Sequence, residues 1–133
     1  MNAETQTFEE WYNSVSTEIE NLKAFSKKEC TNEGYAIDAV MELTRQYLAR
    51  SGELLAKAEY YYLQERAEAI NRITQESEKI SPSILKMLAE SEVRHIKLVF
   101  TGLDRLNATL THALPVLATR LSYIKKLLDY PAK

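Results

Sequence analysis

Glycine and proline are scarce in this chain of 133 residues, which contains 3 of each. Sandwiches, barrels and wound α/β sheets need many tight turns, and these two residues supply most turn conformations. Cysteine is scarcer still, because Cys30 stands alone and therefore excludes an intrachain disulfide and a cysteine-based metal framework. These absences leave an all-α protein as the predicted fold class.

The sequence also lacks a long apolar run. No stretch approaches the roughly 18 to 20 residues needed to span a bilayer, and residues 1–7 have neither a basic start nor an apolar segment. With 45% apolar and 27% charged residues, the composition is that of one ordinary globular unit. We therefore expect a single domain over residues 1–133, cytoplasmic and without membrane contact.

Charge is unevenly distributed along the chain. Residues 1–80 contain 15 Asp and Glu against 9 Lys and Arg, whereas residues 81–133 contain 4 against 8. If the basic part lies beside the acidic part in the fold, the charges compensate internally. If it does not, it forms a surface for an anionic ligand or partner.

Helical periodicity predicts three helices. The first covers about residues 7–28 and begins with a capping box, in which Thr7 is followed three positions later by Glu10. The second covers about residues 34–78 and contains no proline. The first helix is thus the short one, and we expect it to pack on the hairpin formed by the second and third helices.

The third predicted helix covers about residues 82–130. Ser81 is a suitable N-cap and Pro82 suits the first helical position. Apolar residues recur at steps of three and four, so a single apolar stripe continues along the helix. Pro115 interrupts this pattern on the polar side, so we expect one helix that is kinked near Pro115.

The lengths of the predicted helices suggest an oligomer. An antiparallel hairpin of the second and third helices would be roughly 60 Å long, and the first helix would cover it only to around residue 56. Two helices alone cannot bury wide apolar faces, so we expect a second copy to cover the rest as a helical bundle, most simply an isologous dimer. The predicted interface comprises Tyr61, Tyr62, Ile70, Ile73, Ile84, Leu88, Val93, Val99 and Phe100.

Signatures of catalysis or cofactor binding are missing: there is no phosphate loop, metalloprotease helix or nucleophile elbow. One spacing has precedent at di-iron sites, the Glu-x-x-His of Glu92 and His95, with Glu65 as an additional ligand if a dimer supplies a second pair. The alternative is a salt-bridged polar layer of Glu65, Glu92, Arg94 and His95. Because a short motif alone has a high false-positive rate, we predict no metal, no cofactor and no enzymatic activity.

A basic stripe lies opposite the leucines of the third helix. Arginine, histidine and lysine donors interleaved with small residues suit a phosphate or carboxylate, and the alternative is an ordinary solvated face. The charge density is too low to favour duplex nucleic acid. The candidate ligand-binding residues are Arg105, Thr109, His112, Arg120, Tyr123 and Lys126.

Three segments carry a resemblance to a known group, and the resemblance as a whole extends over about half of the chain. They are residues 47–60 (YLARSGELLAKAEY), 105–112 (RLNATLTH) and 121–125 (LSYIK). The chain resembles small helical proteins encoded by tailed phages and prophages, in early or recombination gene modules. Such relatives commonly read Thr-His-Gln-hydrophobic-Asp where this chain has Thr-His-Ala-Leu-Pro at residues 111–115.

The resemblance implies a phage or prophage origin and therefore the cytoplasm of a bacterial host. We expect a non-enzymatic oligomer that acts by binding, as a counter-defence factor that occupies a host protein or sequesters an anionic nucleotide signal. The alternative is an accessory protein of phage recombination or replication that contacts single-stranded DNA or a nuclease.

Overall fold

The computed structural model describes residues 6–28, 34–77 and 79–129. It contains four α-helices and, within those residues, no β-strand. The helices are α1 (Phe8–Ser26), α2 (Gly34–Glu76), α3 (Pro82–Glu92) and α4 (Arg94–Asp129). The all-α class is confirmed, but the prediction of three helices is wrong, because the third predicted helix is divided into α3 and α4.

Both predicted helix starts are confirmed. The Thr7 hydroxyl accepts a hydrogen bond from the Glu10 backbone N–H at 3.2 Å, and it also lies 3.0 Å from the Glu10 carboxylate. Ser81 accepts from the Ile84 backbone N–H at 3.4 Å, with Pro82 directly after it. Each hydroxyl therefore satisfies a backbone donor that the first helical turn leaves unpaired.

The interruption of the third predicted helix lies at Val93, whereas α4 continues through Pro115. Val93 has φ −104° and ψ 16°, outside the helical region, although its N–H still bonds the carbonyl of Ala89. Its buried side chain belongs to the central core, while α3 leans on α2 beyond that core. The helix is interrupted at this one residue although α3 and α4 both pack on α2, and no glycine or proline there marks the interruption.

Helices α2 and α4 run antiparallel and form the spine of the molecule. Tyr62 contacts Phe100 at a ring distance of 5.6 Å, and the Asn107 amide donates to the buried hydroxyl of Ser51 at 3.0 Å. The central core draws residues from α1, α2 and α4, together with Val93 between α3 and α4. Its buried members are Phe8, Trp11, Val15, Ile19, Leu22, Leu54, Ala58, Tyr61, Tyr62, Val93, Ile96, Leu103, Leu106 and Leu110.

Helix α1 packs against the middle of this spine. Its first turn reaches Tyr61, whose ring lies 5.8 Å from Phe8 and whose hydroxyl donates to the Gln6 carbonyl. Its last turn places Phe25 4.6 Å from Tyr47, ring to ring. The expectation that the first helix covers the hairpin only to around residue 56 is therefore wrong, since α1 reaches Tyr61.

The packing within the single chain leaves most of the predicted oligomer interface away from the surface. Four of the nine residues are buried within the single chain and are not surface residues: Tyr61, Tyr62, Ile73 and Val93. Three are partly buried: Ile70, Val99 and Phe100. Only Ile84 and Leu88, both on α3, are exposed.

Within the described residues, no helix combines the length and apolar character needed to cross a membrane. The expectation about Cys30 lies outside the described residues.

Candidate functional site

A cavity of about 630 Å³ opens where α1 ends, between α2 and α4; we name it the basic groove. Its apolar lining comprises Phe25, Val40, Leu110, Ala113, Val116 and Leu117. Its polar lining comprises Ser26, Lys28, Thr44, Thr109, His112 and Arg120. The groove therefore combines an apolar floor with cationic or protonatable side chains at its edge.

The groove exists because of the difference in helix length. The 19 residues of α1 span about 28 Å and the 43 residues of α2 about 64 Å at the usual helical rise. The end of α1 is capped by two backbone bonds: the Lys27 N–H donates to the Ala24 carbonyl and the Lys28 N–H donates to the Phe25 carbonyl. Beyond this cap, the spine continues without a third helix among the described residues.

The charged side chains among the described residues that line the groove have one sign. Helix α4 contains no aspartate or glutamate between Arg105 and Lys126. On α2, Asp38 and Glu42 are exposed and, at about 100° per residue, point away from the groove residue Val40. Among the described lining residues there is no carboxylate. The groove therefore favours an anionic ligand over a cationic one.

The six predicted ligand-binding residues divide into two sets. Thr109, His112 and Arg120 line the basic groove, while Arg105, Tyr123 and Lys126 do not. Tyr123 is 63% exposed on the part of α4 that continues past the groove. Sequence reasoning missed the α1 and α2 walls, above all Phe25, Lys28 and Val40, because a single-helix projection cannot show which other helix ends beside α4.

The hydroxyl groups of the groove are already engaged. Ser26 donates to the Lys23 carbonyl at 2.7 Å, Thr44 to Val40 at 2.6 Å and Thr109 to Arg105 at 2.9 Å. Each bond is made within the residue's own helix, and none joins a hydroxyl to a general base. The groove therefore offers surface and charge for binding and no activated nucleophile among the described residues.

A second cavity of about 470 Å³ lies at the other end of α1; we name it the acidic pocket. It contains Glu65, Glu92 and His95, the residues of the di-iron alternative, together with Glu9 and Glu68. Burial, and then the neighbouring charges of Glu68 and Glu9, raise the pKa of Glu65, although His95 opposes this. The pocket is thus electrostatically opposite to the basic groove.

The acidic pocket is organised by ion pairs. Glu92 pairs with Arg72 on α2, and His95 Nε2 lies 3.3 Å from Glu9 Oε1 on α1. The described residues contain no group of three or more histidine, cysteine or carboxylate side chains placed to hold a metal ion. This geometry favours the polar-layer interpretation, with Arg72 rather than Arg94 as the partner of Glu92.

A third polar cluster surrounds Glu90, close to the interruption between α3 and α4 at Val93. Tyr62 donates its hydroxyl hydrogen to the Glu90 carboxylate at 2.8 Å, and Lys97 Nζ lies 3.6 Å from it. Arg66 Nε is 2.8 Å from Glu90 Oε1 but its N–H is not directed at that oxygen, so we treat the contact as ionic and not as a hydrogen bond. Burial acts to raise the pKa of Glu90, but the Tyr62 hydrogen bond and the two cations together lower it.

Comparison of the chain with family models, curated proteins and solved structures finds no significant match. Functional inference therefore depends on the chain's own geometry.

Proposed function

We propose that this chain is a non-enzymatic, phage- or prophage-encoded helical protein that acts by binding, as an oligomer, in the cytoplasm of a bacterial host. Its proposed role is counter-defence, either by occupying a host protein or by sequestering an anionic nucleotide signal. The proposed binding site is the basic groove.

The observation that carries this proposal is the composition of the groove. A concave surface of about 630 Å³ has the size of a ligand or partner site, and apolar lining with a few polar groups is typical of such sites. Lys28 and His112 at its edge suit a phosphate or a carboxylate. The engaged hydroxyls of Ser26, Thr44 and Thr109 favour binding over catalysis.

The oligomeric part of the proposal rests on α3. This helix packs on α2 and on the start of α4, and the described residues of α1 do not reach it. Ile84, Met87 and Leu88 are exposed at helical spacing on its outer side, and Met87 is 65% exposed. A contiguous apolar stripe on a helix with support on one side only is suited to pairing with a second copy.

Isothermal titration with cyclic and linear nucleotides tests the sequestering version. A matched pair of variants places the site: His112→Glu changes a groove residue, whereas Arg105→Glu changes an exposed residue on the same side of α4, two turns away and outside the groove. We expect His112→Glu to reduce the heat of binding far more than Arg105→Glu. No heat with any nucleotide would remove this version and leave the host-protein version.

An accessory role in phage recombination or replication, through contact with single-stranded DNA or a nuclease, is the second candidate. It is favoured by the exposed Tyr123 with Lys126 three positions further along α4, since an aromatic ring with a neighbouring cation suits a base and its phosphate. DNA affinity that falls steeply with salt would support it, and absent or salt-insensitive binding would argue against it.

A further inference from the structure

Helix α2 exposes four apolar residues on the side that faces away from its neighbours in the chain; we name them the α2 stripe. Tyr60 is 48% exposed and Leu63 is 50% exposed, and the exposed Ala56 and Ala67 lie one turn before and one turn after them. At the helical rotation per residue, the four side chains share a sector of about 60°. The buried residues of the same stretch point to the opposite side: Ala58, Tyr61, Tyr62 and Ala69.

The α2 stripe has the spacing of a helix-pairing seam. Its members recur at steps of four, three and four, which is the repeat by which one helix packs along another. The order of sizes is also the same from either end, because an alanine lies outside each of the two large side chains. Two antiparallel copies therefore place Ala56 opposite Ala67 and Tyr60 opposite Leu63, about a two-fold axis between residues 61 and 62.

Charges beside the stripe favour this antiparallel orientation. Glu59 has no lysine or arginine three or four positions away, and it forms no ion pair with another described residue. Arg66, on the same flank, shares the Glu90 carboxylate with Lys97, so two cations there face one anion. Like flanks meet in an antiparallel pair, which brings Glu59 of each copy within about 3 Å along the axis of Arg66 in the other copy. In a parallel pair Glu59 would meet the uncharged Gln64.

The Tyr60 ring is already fixed in place for such a contact. It meets Tyr61 edge-on, with 5.4 Å between the ring centres, and Lys57 Nζ lies 5.3 Å from its own centre. A side chain that is ordered before docking loses little conformational entropy when it is covered. Leu63 of a second copy would thus meet a preformed surface.

We propose that the α2 stripe pairs with the α2 stripe of a second copy, antiparallel, about a two-fold axis between residues 61 and 62. The inference goes beyond the proposed function, because it uses neither the basic groove nor the exposed residues of α3. A contact of four layers is at the small end of protein interfaces, so we expect pairing at about 0.1–1 mM protein and not in dilute solution. If the α3 ends also meet, the two separate isologous contacts join more than two copies.

The test is disulfide cross-linking of the full chain, with Cys30→Ser to remove the native thiol and Met87→Asp to charge the exposed side of α3. Ala56→Cys and Ala67→Cys are made as separate proteins and then mixed. In the antiparallel pair these two positions lie opposite each other, so a disulfide should form only in the mixture. We expect it to form at least about tenfold faster than in the matched mixture of Leu98→Cys with Ala67→Cys. Mass spectrometry of tryptic peptides identifies the joined cysteines.

Further substitutions locate the contact and its charges. Leu63→Asp places a carboxylate opposite Tyr60, and Leu98→Asp makes the same change at a 66% exposed position on α4. We expect Leu63→Asp to slow cross-linking at least about tenfold and Leu98→Asp to leave it unchanged, with both variants as helical as the parent by circular dichroism. Glu59→Arg should also slow it, whereas Glu20→Arg, the same change at an exposed position of α1, should not.

Three results would overturn the proposal. Disulfides within each separate variant, 56 to 56 and 67 to 67, would indicate a parallel pair. Equal rates in the two mixtures would show that no second copy lies on the α2 stripe. If the rates are equal and Leu63→Asp also destabilises the single chain, the chain's own residues cover the stripe. None of these results bears on ligand binding at the basic groove, because no ligand is present, and nucleotide titration tests that function separately.

Discussion

Among single residues, Glu90 is the most heavily engaged polar side chain that the structure describes at a junction between helices. It lies on the last turn of α3, accepts from Tyr62 and faces Arg66 on α2, and approaches Lys97 on α4. Its side chain is 25% exposed, so these contacts are less screened than those of a surface ion pair. One carboxylate on α3 thus contacts side chains of both α2 and α4 close to the interruption at Val93.

We predict that Glu90→Gln lowers the free energy of unfolding by about 1–2 kcal/mol, because the amide loses the charge that compensates two cations. The matched control is Glu92→Gln, also on α3, whose pair with Arg72 is about half exposed and is worth under about 1 kcal/mol. Urea unfolding monitored by circular dichroism measures both. An equal or smaller loss in Glu90→Gln would contradict the assigned role of Glu90.

Stability should depend on pH through carboxylates whose pKa values are shifted in opposite directions by folding. The hydrogen bond from Arg50 lowers the pKa of Glu18, and the cluster around Glu90 lowers the pKa of Glu90. A lowered folded-state pKa means that the stabilisation is present above the unfolded value of about 4.3 and is lost as pH falls through the folded value. We predict that Glu90→Gln loses less stability on acidification than the parent does.

Glu65 should behave in the opposite way, because its pKa is raised by burial in the acidic pocket. Its ionised form costs stability above the folded-state pKa, and protonation removes that cost as pH falls. We predict that Glu65→Gln is more stable than the parent at about pH 7 and that the difference disappears on acidification below about pH 4. Urea unfolding at several pH values checks this; a difference that grows on acidification would contradict it.

At the scale of the helix, α4 tolerates a proline within its interior. Pro115 cannot donate a hydrogen bond to the Thr111 carbonyl, yet α4 is continuous from Arg94 to Asp129. Pro115 is exposed, so water can satisfy that carbonyl. Pro115 therefore still lowers the stability of α4, and the packing of α4 on either side of it offsets this loss.

We predict that Pro115→Ala raises the free energy of unfolding by about 1–3 kcal/mol, since it restores a backbone donor and a strong helix former. A thermal or urea transition measured by circular dichroism gives the change. A loss of stability would show that the proline geometry itself is required, for example to aim the part of α4 that borders the basic groove.

The sequence predicted the all-α class and the caps at Thr7 and Ser81 but not the interruption at Val93. Thr7 and Ser81 cap helices through local contacts, and local contacts are what sequence spacing encodes. Val93 departs from helical geometry at a position without glycine or proline, so the local sequence does not encode the interruption between α3 and α4. For the same reason Thr109, His112 and Arg120 were predicted from their helix face, whereas Phe25 and Lys28 could not be assigned to the groove before the position of α1 was known.

For the whole molecule, the main feature is that the short helix α1 packs only on the middle of the long antiparallel pair formed by α2 and α4. The end at α3 leaves Ile84, Met87 and Leu88 exposed, and the end at the basic groove leaves Val116 and Leu127 exposed. In the proposed function, the first end self-associates and the basic groove at the second end binds the ligand or host protein. These are separate surfaces, and substitutions at one should leave the other intact.

We predict that Met87→Asp converts the proposed oligomer to a monomer, because it places a charge in the centre of the exposed α3 stripe. Light scattering coupled to gel filtration measures the mass, with Leu98→Asp as the control for a charge at an exposed apolar position away from α3. A parent protein that is monomeric at every concentration would remove the oligomeric part of the proposed function.

The most direct single measurement is native-state hydrogen exchange along α2 at two protein concentrations. Residues 47–62 lie under α1, so their amides should exchange slowly at both concentrations. Residues 66–76 lie outside it, and we predict that their exchange slows markedly when the protein is concentrated, because a second copy then covers the α3 end. Exchange in residues 66–76 that is the same at both concentrations would contradict the claim that the ends of the spine are surfaces for other molecules to cover.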